Sequence, residues 1–211
     1  MKSDSYDAMA FGYDFFSQFL GRSYRESKFT FLEKLQEGDK VLYLGGGTGR
    51  NLSAILDRVG DSGKVFYMES SVQMIEKAKK KISLGLEYRV NFLHQSDFTA
   101  IPLETFDVVV TQYFLDILPD RSIHRLFQEI NKRPHKNRQW IFVDFFEVKG
   151  KKWLINLMIY FFKFFTGNPR KDLPDYGHYF AYYGWTIHEK KSFDKGFVQG
   201  WLMKRGSLGS K

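Results

Sequence analysis

Apolar residues recur along this chain in two alternating rhythms. Short apolar runs at Lys40–Leu44 (KVLYL), Lys64–Met68 (KVFYM), Val90–Leu93 (VNFL), Phe106–Thr111 (FDVVVT) and Gln139–Phe145 (QWIFVDF) read as strands. Between them the apolar positions move to helical spacing. Leu52, Ile55, Leu56 and Val59 mark a helix over 51–59. Val72, Ile75, Ala78 and Ile82 mark another, with Ser71 placed to cap its first turn. Pro119-Asp120 opens a third that runs to about Asn131, and residues 22–37 predict a fourth that stops at Gly38. The run WLINLMIYFFKFF at 153–165 reads as one more helix. At the end, 186–193 and 197–205 with a glycine-containing turn between them predict a hairpin.

Strands that alternate with helices imply parallel βαβ units and a sheet covered on both faces. The expected fold is α/β, doubly wound, mostly parallel, with antiparallel character from the terminal hairpin. Residues 1–211 are expected to form a single domain. It would carry a helical arm at 1–37, an inserted lid or substrate segment at 146–183 and a flexible tail at 206–211. Ligands of such sheets bind outside the carboxyl ends of the strands.

Composition narrows the chemistry. The chain is 43% apolar, which excludes disorder as its dominant state. It has no cysteine, which excludes disulfides, thiolate metal sites and every cysteine nucleophile, and fits a reducing, cytoplasmic setting. The opening residues show no secretory pattern. The 153–165 run is shorter than the roughly 20 residues of a spanning helix, so a lid or an interfacial helix is expected in place of a membrane span. The net charge of +8 favours anionic partners. The basic residues are spread along the chain, which counts against nucleic acid. Twenty-two Phe, 12 Tyr and 4 Trp point to a pocket or surface lined by rings.

The most informative segment is Leu44-Gly45-Gly46-Gly47-Thr48-Gly49-Arg50, between a strand and a helix. Glycines there let the chain turn sharply and let a ligand approach the main chain. Neither the dinucleotide pattern nor the P-loop fits, because Arg50 stands where each needs glycine. What remains is G-x-G-x-G at Gly45, Gly47 and Gly49. Glu69 ends the next strand, where a carboxylate can accept from both hydroxyls of a ribose. Ser96-Asp97-Phe98 ends the third strand, where an acid can accept from an adenine amino group beside an apolar wall.

With these residues in register, the chain resembles the class I S-adenosylmethionine-dependent methyltransferases. VLYLGGGTGR resembles their glycine motif, VFYMES their ribose motif, HQSDFTAIP their adenine motif, and FDVVVTQYFLDILPD the stretch carrying their fourth strand. YDAMAFGYDFFS resembles the N-terminal arm of the small-molecule branch, which includes ubiquinone and menaquinone methyltransferases. The resemblance implies a seven-stranded Rossmann-like sheet with a reversed C-terminal hairpin, and S-adenosylmethionine as cofactor with S-adenosylhomocysteine as product. It implies a cofactor site of Tyr6, Tyr13, Gly45, Gly46, Gly47, Gly49, Glu69, Ser70, Met74, Ser96, Asp97, Phe98, Thr111 and Gln112. The family usually carries an acid where this chain has Tyr43, and that acid helps hold the methionine ammonium.

Methyl transfer needs an aligned nucleophile, and a base only where that nucleophile must lose a proton. Three residues are candidates for catalytic work. Asp116 lies in an apolar context (FLDIL) that would raise its pKa. Tyr13 could set a ring against the sulfonium. His178 lies in the lid segment. Asp144 sits inside the fifth apolar run and is placed to reach the pocket, whereas His94 is read as packing and His124 as facing solvent. No metal site is expected. The expected acceptor is a small hydrophobic or aromatic molecule, and Lys149, Lys151, Lys152, Lys163, Arg170 and Lys171 would suit contact with an anionic membrane. Two rival readings stay open: an RNA or protein methyltransferase, from the charge, and a catalytically silent cofactor-binding protein, from Tyr43.

Overall fold

A computed structural model describes residues 21–133, 138–166 and 170–205. The expected contributions of Tyr6, Tyr13 and the 206–211 tail lie outside the described residues, as does most of the arm. Among the described residues, seven strands form one sheet: β1 (Lys40–Leu44), β2 (Lys64–Glu69), β3 (Val90–His94), β4 (Val108–Gln112), β5 (Gln139–Phe145), β6 (Trp185–Phe193) and β7 (Val198–Arg205). Their order is β3-β2-β1-β4-β5-β7-β6. The first five run parallel, and β7 is antiparallel to both β5 and β6. This is the mostly parallel sheet with a reversed terminal hairpin that the sequence implies.

The sheet is buried on both faces, so its strands alternate between two apolar layers. In β1, Val41 and Tyr43 join one layer with Ile55 and Val59 of helix α1 (Leu52–Val59) and Ala78 of α2 (Val72–Lys79). Leu42 and Leu44 join the other layer with Leu126 and Phe127 of α3 (Asp120–Asn131) and Phe180 of α5 (Tyr176–Tyr182). Helix α4 (Lys152–Thr166) packs at the end of β5, where Leu154, Ile155 and Met158 meet Tyr24, Tyr113 and Phe145. Ser71 caps α2 as expected, its hydroxyl accepting from the Met74 amide at 3.3 Å.

One expected element is shorter than its pattern. Residues 21–27 are helical, but the chain then turns, and Leu32–Lys34 form a single 3-10 turn. Phe31 adopts a left-handed backbone (φ 63°) and is fully buried. A continuous helix to residue 37 could not place Phe31 in the core, so packing overrides local propensity here. Helix α5 was not foreseen at all: its seven residues are too few to show a period.

Candidate active site

The glycine loop folds back on itself at the ends of β1 and β2. Gly45, Gly47 and Gly49 all have positive φ, at 62°, 61° and 65°. A side chain at two positions would collide with the surrounding rings. A Cβ on Gly45 would stand 2.2 Å from the Phe114 ring, and one on Gly46 would stand 2.3 Å from Tyr67. Gly49 serves packing, since a Cβ there would press on Ala78 of α2 at 2.8 Å. Gly47 differs: its Cβ direction meets nothing nearer than the Met74 sulfur at 3.7 Å, so it faces open space.

Glu69 joins the loop to the next strand. Its Oε1 accepts from the Ser70 and Ser71 amides (2.8 and 3.0 Å) and the Ser70 hydroxyl (3.2 Å). Its Oε2 accepts from the Gly47 amide at 3.0 Å. Four donors hold the carboxylate in one orientation, yet Oε2 takes only one of them and keeps acceptor capacity. The Tyr67 hydroxyl donates to the Gly47 carbonyl at 2.7 Å and fixes the loop from below.

These groups open onto a cleft lined by the loop, Glu69, Ser70, Met74, Gln112 and a ring-rich wall. The wall is Tyr24, Tyr113 and Phe114, with Ile117 and Lys28 beside it. The sequence reading missed Tyr24 and Lys28, because neither belongs to a motif and only the fold brings the 21–28 segment to the cleft. Lys28 sits 5.1 Å from the Tyr24 ring centre and 5.7 Å from that of Tyr113. Tyr113 holds an unusual φ of 55° at the end of β4, and its hydroxyl is 2.5 Å from that of Ser27. Positive φ in a bulky residue is costly and clusters at functional sites.

Tyr43 stands where the family usually has an acid. It is fully buried, and its hydroxyl donates to Asn51 Oδ1 at 2.7 Å. Asn51 in turn donates to Gln112 Oε1 (2.9 Å) and to the Lys28 carbonyl (3.0 Å), and Gln112 donates to the same carbonyl at 2.9 Å. Burial pushes the Tyr43 hydroxyl far above its ordinary pKa, so it stays neutral. Asn51 therefore spends its side chain on this network and makes no cap for α1.

Several expected cofactor contacts fall elsewhere. Thr111 is buried, and its hydroxyl accepts from the Trp140 ring nitrogen at 2.8 Å, so it does not face the cleft. Ser96 and Asp97 are exposed beyond the cleft. Asp97 accepts from the Thr99 amide at 3.0 Å, which holds its carboxyl below the usual range. Phe98 is buried and reaches the cleft through an edge contact with Phe114, at 6.2 Å between ring centres. His178 is exposed on α5 and lines neither cleft. His94 is exposed rather than packed, 3.0 Å from the Ser70 carbonyl, and His124 is half-buried against Tyr183 rather than in solvent. In both cases a polar partner outside the local pattern sets the position.

Asp116 lies on the far side of the same 113–117 segment. It lines a second, narrow cleft with Phe145, Ile155, Met158, Ile159, Leu173 and Arg170. Its Oδ1 is buried with no hydrogen-bond partner among the described residues. Burial among apolar side chains raises its pKa to about 7. Asp144, fully buried on β5, accepts from the Leu115 and Asp116 amides (3.2 and 3.4 Å) and the Phe145 amide (2.9 Å). Its carboxyl is raised by burial first and then by the charge of Asp116. Arg170, held by Asp120 at 2.7 Å and by the Leu118 carbonyl at 2.9 Å, lowers Asp116 in part. Two acids so placed interact, so their protons belong to the pair rather than to either residue.

Residues 41–135 match a family model described as a methyltransferase domain. Over 112 residues the chain is 31% identical to a phosphatidylethanolamine N-methyltransferase of Cereibacter sphaeroides, covering 52% of each protein. Over 85 residues it is 38% identical to a demethylmenaquinone methyltransferase of Lactococcus lactis, covering 39% of this chain and 33% of that one. The chain thus matches about half of the length of these curated relatives or less. Among solved structures, an O-methyltransferase family protein of Burkholderia thailandensis superposes with a TM-score of 0.70 at 15% identity, over 96% of this chain and 60% of that one. The mitomycin 7-O-methyltransferase MmcR superposes with a TM-score of 0.66 at 16% identity, over 87% and 53%. Sheet order, loop geometry and these similarities agree: residues 41–135 are similar to a methyltransferase domain, and the chain has the fold of the class I S-adenosylmethionine-dependent methyltransferases.

Proposed function

We propose that the chain methylates a small apolar acceptor, aromatic or quinol-like, with Asp116 as the base. The observation that carries this reading is a buried oxygen of Asp116 without a partner among the described residues, on a residue that lines the second cleft and is next in sequence to Ile117 of the first. A buried acceptor oxygen without a donor costs free energy unless a ligand supplies one. An acceptor hydroxyl is such a donor, and a carboxyl raised to about 7 can take its proton at neutral pH.

The residues of the first cleft fit S-adenosylmethionine. Gly47 leaves its side of the cleft open, and Glu69 Oε2 keeps capacity to accept from ribose hydroxyls. Lys28 supplies a cation for the carboxylate of the methionine end. The Tyr24 and Tyr113 rings would face the sulfonium, and cation–π attraction would favour that charge. The cofactor, when bound, supplies a methyl group on a leaving group that is already activated. What remains for this chain is to orient the acceptor, exclude water with the apolar wall of α4, and hold the acceptor's proton on Asp116. The quinone methyltransferases among the relatives act on acceptors of the proposed kind, by their names.

The test is formation of S-adenosylhomocysteine from S-adenosylmethionine across a panel of quinols and phenols. Turnover with an apolar member, lost in Asp116→Asn, is the expected result. Turnover that persists in Asp116→Asn would remove the base assignment.

The Tyr43 network favours a second reading, a silent cofactor-binding protein. It replaces the usual acid with neutral groups that are already hydrogen-bonded to one another. Tight binding of S-adenosylhomocysteine with no turnover of any acceptor would support that reading over the first.

A further inference from the structure

Helix α4 has two unlike sides. Its inner residues Ile155, Met158 and Ile159 line the second cleft. Its outer side shows Trp153, Leu157 and Tyr160, which are 61%, 46% and 69% exposed. At 3.6 residues per turn these three positions fall within an arc of about 60°. A Trp, a Leu and a Tyr in one exposed stripe form an unusual patch for a protein surface facing water alone. The stripe is flanked mainly by cations, one of which, Lys152, pairs with Glu147 at 3.3 Å. Lys152 and Lys163 are exposed on the same helix, Lys149 precedes it and Lys171 follows it. From 147 to 172 the sequence holds six cations against two carboxylates, Glu147 and Asp172.

We propose that this face of α4 docks the protein on an anionic lipid surface. Trp and Tyr rings favour the headgroup layer, where one edge is wet and the body is apolar. Lysines beside them are attracted to anionic headgroups. No helix among the described residues is long and apolar enough to cross a membrane, so α4 lies on the surface rather than through it. Charge decides for lipid over a second copy of this chain, since two such faces brought together would set lysine against lysine. Docking by this outer face leaves α4 between the bilayer and the second cleft, and it does not depend on the proposed acceptor reading.

Tryptophan fluorescence tests the docking directly. Of the four tryptophans, Trp140, Trp185 and Trp201 are buried, so Trp153 dominates any response to vesicles. Vesicles of phosphatidylcholine with phosphatidylglycerol are expected to shift the emission to the blue and to co-sediment the protein. Vesicles of phosphatidylcholine alone are expected to do neither, and added salt to reverse the effect. Trp153→Ala with Tyr160→Ser is expected to weaken co-sedimentation about tenfold or more while S-adenosylhomocysteine affinity stays unchanged. Equal binding to neutral vesicles would overturn the role of the lysines. Binding that survives the double substitution would overturn the assignment of the face. No binding to anionic vesicles by protein that still binds S-adenosylhomocysteine would overturn the docking and leave the cofactor reading standing. A concentration-dependent dimer abolished by the same substitutions would assign the face to a second copy instead.

Discussion

The cleft at the ends of β1 and β2 is built mainly from main chain and one carboxylate, whereas the cleft under α4 is built from side chains that arrive from distant segments. In the first, three glycines with positive φ bend the loop, and Glu69 is held by three amides and a hydroxyl within a few residues of it or across one strand. In the second, Asp116 follows β4, Asp144 lies on β5, Arg170 precedes α5 and the apolar wall belongs to α4. A main-chain cradle suits a ligand that every member of a fold class shares, because it survives exchange of side chains. A side-chain cleft suits the ligand that differs from one member to the next.

The sharpest way to break this division is to alter each cleft alone and read the ligand of the other. Gly47→Val is expected to abolish S-adenosylmethionine binding. It forces a β-branched residue into a left-handed backbone and puts its side chain into the cleft. The fold should persist by circular dichroism, since the Cβ meets nothing nearer than the Met74 sulfur at 3.7 Å. Asp116→Asn is expected to lower turnover by about 10²–10⁴-fold with cofactor affinity unchanged, the usual contribution of a base. Parallel loss of affinity would show that the two clefts are one. Glu69→Ala is expected to weaken cofactor binding by about 1.5–3 kcal/mol, read by calorimetry. Lys28→Ala should cost about 1 kcal/mol for S-adenosylhomocysteine and nothing for 5′-methylthioadenosine, which lacks the amino-acid end. Equal losses for both ligands would remove Lys28 from its assigned contact.

Asp116 sharpens the comparison through pH as well. Its folded-state pKa, about 7, lies above its ordinary value of 3.8. Between those values the folded protein holds a proton that the unfolded chain has lost, so this group's contribution to stability falls as pH rises. Asp116→Asn removes that penalty. The variant's melting temperature relative to the parent should therefore climb between about pH 4 and 7 and level off above. A difference that stays flat with pH would mean that Asp116 ionises as an ordinary surface acid.

The sequence carried the first cleft better than the second, for physical reasons. A glycine run between strand and helix, and an acid at the end of the next strand, are local patterns with local causes. Gln112 and Met74 came with those motifs and do line the cleft. Thr111 came with them too but turns to the other face, because neighbours along a strand point in opposite directions. Tyr24 and Lys28 carry no motif. Tyr24 lies in the helical stretch 21–27 and Lys28 at its end, and the fold alone brings both to the cleft. Asp116 was legible as an acid in an apolar run, but its neighbours Asp144 and Arg170 meet it only through the fold. His178 drew notice as a lone histidine in a lid segment, and helix α5 turns it to solvent.

Isothermal calorimetry with S-adenosylmethionine and S-adenosylhomocysteine tests the central claim most directly. Micromolar binding of both is expected, weakened in Glu69→Ala and unchanged in Asp116→Asn. Absence of binding for either ligand by folded protein would contradict the assignment of the glycine cleft, and the methyl-transfer reading would fall with it.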